Sequence, residues 1–261
     1  MTPTATALRC SFLLLLLCAV GCGGGGDPEP TVPTVPDVER VRVAVDAATT
    51  GTLRGVIRVN GDFPPPKKVT FGTEAECNAA HDGPVYFDTA LSSNGKLQNA
   101  FVWVKEGLEG YAFPTPTEEQ IVDQRGCVYQ PHVVGVQVGQ PLTFVNSDAT
   151  THNVHTMPKK GRGANFSMPR KGMRTTKTFK RPQVMMKTKC DIHPWMSAWI
   201  GVIPHPAFAI SAADGSYEIK GVPPGELVLE VWHEKLGTQV QSVTLGAKGE
   251  MSIDFSFEMP E

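Results

Sequence analysis

Short apolar runs bounded by turn residues recur along most of this chain, and they confine it to β architecture. In residues 52–60, Leu53, Ile57 and Val59 share one face while Arg54, Arg58 and Asn60 take the other. That is the two-residue period of a half-buried strand, and "NG" follows it as a turn. "NAFVWVKEG", "HVVGVQVGQPLTFVN", "AWIGVIP", "GSYEIKGVPPGELVLEVWHE" and "MSIDFSFEM" are likewise short and rich in Val, Ile, Phe and Trp, with Gly, Pro, Asn-Gly and Asp-Gly between them. Many short strands at such spacing predict an all-β chain of sandwiches or barrels. One helical turn is expected at residues 73–80, where Thr73 and Glu76 have the spacing of a capping box.

The first forty residues stand apart. Arg9, the apolar stretch "SFLLLLLCAV" and the small residues "GCGGGG" read as an export signal over residues 1–21, too short to span a bilayer. "AVGCG" resembles the lipobox of bacterial lipoproteins, with Ala19 in place of the usual Leu. The resemblance implies that Cys22 becomes a lipid anchor holding the protein to a bacterial membrane, facing the periplasm or the cell surface. Residues 22–50, with "GGGGDPEPTVPTVPDVE" directly after Cys22, have the composition of a tether.

Three of the six cysteines remain for the folded part: Cys77, Cys127 and Cys190. In an oxidising compartment two of them pair. Cys190 belongs to the motif described next, so Cys77–Cys127 is the expected bridge. A rival reading joins Cys77, His81, Cys127 and His132 as a tetrahedral zinc site.

"CDIHPWM" sets Cys190, His193 and Met196 at three-residue intervals, and "FVNSDATTHNVHT", about forty residues upstream, reads as a strand ending in a loop that carries His152. One Cys, two His and a Met are the donors of a mononuclear copper electron-transfer site. Thiolate and thioether favour Cu(I), and imidazole tolerates Cu(II).

"VGQPLTFVN", then "HNVH", then the Cys-x-x-His-Pro-x-Met run before a closing apolar strand resemble the cupredoxins, the blue copper family, in their amicyanin- and plastocyanin-like branch. The resemblance implies a Greek-key β-sandwich over residues 97–205 and a single copper ion cycling between Cu(I) and Cu(II). Its ligands would be His152, Cys190, a solvent-edge His193 and an axial Met196. It further implies that Asn153 ties the two ligand loops together and that Pro194 shapes the shorter one. His155 could take the place of His152, and the family match favours His152. "KTKC" lacks the aromatic residue usual two positions before the thiolate. The flanks, residues 51–96 and 206–261, resemble a carboxypeptidase-regulatory-like, transthyretin-type β-sandwich, which makes the copper unit an insertion in a discontinuous outer unit.

Charge points to partners. Eleven Lys or Arg and no Asp or Glu lie between Ala149 and Cys190, although the whole chain has 24 basic and 26 acidic residues. Lys159, Lys160, Arg170 and Lys171, with Trp195 and Trp199 as an apolar rim around His193, are the expected docking surface for an acidic redox protein. Export and the absence of a recognised binding motif argue against nucleic acid. No His-x-His pair or Cys-x-x-Cys-His motif argues for an enzyme, and no small-molecule substrate is expected. Six of the nine Met fall in the ligand region, and copper trafficking is therefore the alternative function.

Overall fold

The computed structural model describes residues 42–61, 67–87 and 92–259. The predicted signal, the lipid-anchor Cys22 and most of the tether lie outside the described residues. Val43–Ala44, expected in the tether, pairs in parallel with Tyr111–Ala112 instead.

The chain is all-β, and among the described residues the one helix is the five-residue Ala75–Ala79. Its N-cap is Glu74, with no side-chain cap bond. The expected Thr73 capping box therefore does not form. The Asn78 amide instead donates to the carbonyls of Gly72 and Glu74, closing the turn from its other side.

Two sandwiches make up the fold. The outer one is built from both flanks. The strand Gly51–Asn60 pairs antiparallel with Ser216–Val222 and parallel with Glu250–Ser252 and Phe255–Glu258. It buries Leu53, Ile57 and Val59 and exposes Arg54, Arg58 and Asn60, as its period requires. Facing it is the sheet Phe208–Ile210, Phe101–Glu106, Gly225–His233 and Gly237–Leu245. Leu53, Ile57, Val102, Val104, Leu229 and Phe255 fill the space between.

The inner sandwich runs from Gln120 to Ile203. One sheet is ordered Arg174–Thr178, Pro141–Asn146, Gln120–Arg125, Val128–Gln130. The other is Asn165–Met168, His152–Met157, Gln183–Lys189, Ser197–Ile203, Val133–Gln137. Val122, Phe144, Val154, Ala198 and Ile200 are central to its core.

Two boundaries differ from the sequence reading. The strand Phe101–Glu106 belongs to the outer sheet, whereas residues 97–205 were expected to form the inner unit. "FVWV" is apolar at every position because both its faces are covered. Val102 and Val104 point into the outer core, while Phe101 and Trp103 enter a third cluster with Val133, Met185 and Ile203 between the sandwiches. Residues 67–87, expected in the outer unit, pack on the inner one, which Val69, Phe71 and Cys77 enter as core residues.

Two glycines let the sandwiches approach. A Cβ on Gly135 would lie 2.1 Å from the Phe208 ring, and one on Gly201 would lie 2.5 Å from the Phe101 ring. Both are positions of close approach where no side chain fits.

Candidate metal centre

The four predicted ligands come from two neighbouring strands and the loop that follows one of them. His152 opens the strand His152–Met157. The loop before it is braced by Asn146, whose amide donates to Thr150 O and Met168 O and whose Oδ1 accepts the Asp148 N–H. Cys190 follows the antiparallel strand Gln183–Lys189, and residues 191–196 turn back into Ser197–Ile203. Three bonds close that turn: Cys190 N–H to Met196 O, Met196 N–H to His193 O, and His193 N–H to Cys190 Sγ at 3.4 Å. Three-residue spacing thus folds Cys190, His193 and Met196 back on one another, with Pro194 inside the turn.

The inward atoms converge. His152 Nδ1 lies 2.9 Å from His193 Nδ1, which lies 3.8 Å from Cys190 Sγ. His152, Cys190 and His193 each place one donor atom within 4.8 Å of the others, and all three are buried. Met196 is buried in the same core cluster as Cys190. These are the soft and borderline donors, at the proximity, that a copper ion takes.

The opposite ring nitrogens have partners of their own. His152 Nε2 is 2.8 Å from Asp148 Oδ2, and that carboxylate also accepts the Gly126 and Cys127 N–H groups. Asp148 orients the imidazole and supports its basicity, as a carboxylate behind a metal-binding His does. Burial would raise the Asp148 pKa, but the His152 and backbone bonds prevail and hold it below the usual range. Sequence reasoning missed Asp148, because a loop carboxylate four residues before a candidate ligand carries no sign of which way it faces. It also missed Tyr129, whose hydroxyl donates to Asn153 O at 2.6 Å and whose pKa burial pushes up.

Asn153 is buried beside Cys190. Its Oδ1 accepts the Asp191 N–H and its own N–H points at Cys190 Sγ at 3.5 Å, joining the two ligand segments. Burial opposes ionisation of Cys190, yet bonds from His152, His193 and the backbone of Asn153 and His193 outweigh it and bring the thiol down to about 5. The thiolate is ready to bind a metal near neutral pH. His155, the alternative to His152, is turned to Asp191 at 3.0 Å.

His193 is not at a solvent edge. Its side chain is 0% exposed, covered by residues 67–87. Cys77 and Cys127 form a disulfide, with Cys77 Sγ 3.9 Å from His193 Nε2. The Glu74 carboxylate stands 3.7 Å from that nitrogen. Trp195 lies tilted against His193 with ring centroids 5.2 Å apart, donates its indole N–H to Cys127 O, and meets Phe71 edge-on. The zinc alternative has no geometry to support it: His81 bonds Gly126 O, and His132 bonds Ser197 O and the Glu234 carboxylate.

The remaining docking candidates are scattered. Trp199 packs on Trp232 at 4.8 Å and donates to Glu234, placing it at the junction of the sandwiches instead of beside His193. Arg170 and Lys171 lie in the turn that bonds Asn146, at the metal-site end. Lys159 and Lys160 lie beyond Met157, about 20 Å along the strand from His152.

Part of this chain is similar to part of several solved structures. A copper(I) form of a variant amicyanin is 26% identical over 31% of this chain and 79% of its own, with a TM-score of 0.28. A purple cupredoxin from Nitrosopumilus maritimus is 27% identical over 29% of this chain and 81% of its own, with a TM-score of 0.25. A copper-containing nitrite reductase from Thermus scotoductus is 25% identical over 38% of this chain and 25% of its own, with a TM-score of 0.28. A scan against protein-family models and a search of curated proteins each gave no match.

Proposed function

We propose that this chain holds one copper ion between His152, Cys190, His193 and Met196 and carries single electrons with it, as an exported, lipid-anchored protein. The observation that carries the reading is the convergence of both Nδ1 atoms and a low-pKa thiol in a buried pocket. Bound copper would supply a one-electron couple. The chain supplies the rest: Asp148 and Asn153 hold the ligands in one arrangement, and the disulfide segment keeps water out. Ligands fixed in this way move little when the charge changes, which favours fast transfer.

The burial of Cys190 and His193 supports a carrier over an enzyme, since catalysis at a metal needs a position open to substrate. Trafficking drew its support from the methionines. Apart from Met196, the proposed ligand, Met168, Met185 and Met186 are buried packing residues, while Met157 is 46% exposed, an arrangement that favours one enclosed ion over a chain of Cu(I) stations. The redox partner would exchange electrons through the cover over His193.

Titration of the metal-free full chain with Cu(II), followed by visible and paramagnetic resonance spectra, tests this. One equivalent should give an intense thiolate-to-copper band with a narrow hyperfine splitting, and Cys190→Ser should abolish both. A colourless product, or several equivalents of Cu(I) bound, would overturn electron transfer in favour of trafficking.

A further inference from the structure

The basic stretch singled out in the sequence divides in space, and one part forms a feature the metal site does not use. Lys160, Arg162, Lys177, Lys180 and Arg181 line a cleft of about 420 Å³ between the turn after His152–Met157 and the segment joining Arg174–Thr178 to Gln183–Lys189. No carboxylate lines it. Arg174 and Lys189 have carboxylate partners, Glu119 and Asp191, whereas no described acidic group lies within ion-pairing distance of these five.

The cleft is built. Thr156 and Ala164 exchange bonds, N–H to O and N–H to Oγ1, each at 2.8 Å, closing the turn at its base. Gly161 has φ +87°, and a Cβ on Gly163 would lie 2.0 Å from Thr156 O, so both glycines are needed for the turn to close. Gln183 donates to Lys160 O, and Lys177 Nζ is held 4.8 Å over the Phe166 ring. Five like charges gathered on so ordered a frame repel one another unless an anion joins them.

We propose that this cleft binds a phosphate-bearing anion, either a phospholipid headgroup or a soluble phosphate ester or polyphosphate. Two guanidinium groups suit phosphate oxygens in a bidentate manner, and the lysines add point charges around them. The volume admits a headgroup or a diphosphate but is small for a folded protein surface. The proposal does not depend on the metal reading, because the cleft lies at the far end of the strand from His152.

The test uses the metal-free full chain at about 0.15 M salt. Calorimetric titration with inorganic pyrophosphate probes the soluble source. Flotation with vesicles of phosphatidylglycerol against phosphatidylcholine probes the headgroup. Arg162→Ala/Arg181→Ala should weaken whichever binding occurs by about tenfold or more. Arg170→Ala/Lys171→Ala, an equal loss of charge elsewhere, should leave it unchanged. Pyrophosphate binding alone identifies a soluble ligand, and phosphatidylglycerol-dependent flotation alone identifies a membrane surface. Absence of both, or equal weakening in the two double variants, would overturn the proposal.

Discussion

Asp148 decides which nitrogen of His152 faces the ligands. Its carboxylate holds Nε2, so Nδ1 is left to meet His193 and Cys190. Asp148→Ala should lower copper affinity about 10- to 100-fold, the range for losing a carboxylate behind a ligand, measured by competition with a chelator. The lone pair on Nδ1 survives in that variant, so the blue spectrum should persist at saturating copper. Loss of the spectrum there would assign Asp148 a larger part than orientation. The candidate ligands could be named from residue types and spacing alone. Asp148 could not, because a carboxylate in a loop looks the same whether it faces water or an imidazole.

Among the elements, residues 67–87 alter the chemistry most. They contribute one helical turn and a short pairing of Val69 with Val85, yet they close the outer edge of His193. The disulfide that ties them spans 50 residues, and losing it should cost about 4 kcal/mol by loop-closure entropy. Cys77→Ser/Cys127→Ser should therefore unfold at lower denaturant concentration. In the folded, copper-loaded variant, exchange of electrons with hexacyanoferrate should be faster than in the parent, because the reagent comes closer to His193. An unchanged rate with an intact spectrum would show that the cover is no barrier. The strand pattern was readable at this scale wherever one face meets water, as in Gly51–Asn60. It failed for Phe101–Glu106, whose two buried faces erase the alternation that says which sheet it joins.

Over the whole molecule, the aromatic junction makes the two sandwiches one body. Gly201→Ala would drive a methyl group into the Phe101 ring and should destabilise the protein by about 1–3 kcal/mol, read as a lower denaturant midpoint. The same region carries a pH dependence. Burial pushes His233, on the strand Gly225–His233, down to about 4, with Glu234 opposing the shift. The unfolded chain takes up this proton near pH 6.5 and the folded one only near 4. The stability contributed is thus complete above the unfolded value and is lost as pH falls through that window, by about 3 kcal/mol at most. Denaturant midpoints of the parent should fall more steeply between neutral and acidic pH than those of His233→Gln. Parallel profiles would remove His233 as the cause.

What the sequence determined by itself was local: strands from their two-residue period, turns from Gly and Asn-Gly, and a Cys, a His and a Met at a spacing that one short turn draws together. Such features depend on neighbours within a few residues, and backbone geometry carries them from spacing to structure. Only the tertiary structure decided that a segment 116 residues away in sequence covers His193, that Asp148 stands behind His152, and that the basic stretch splits between two ends of a strand. Those contacts arise where apolar faces happen to pack, and a buried face records that it is covered without recording by what.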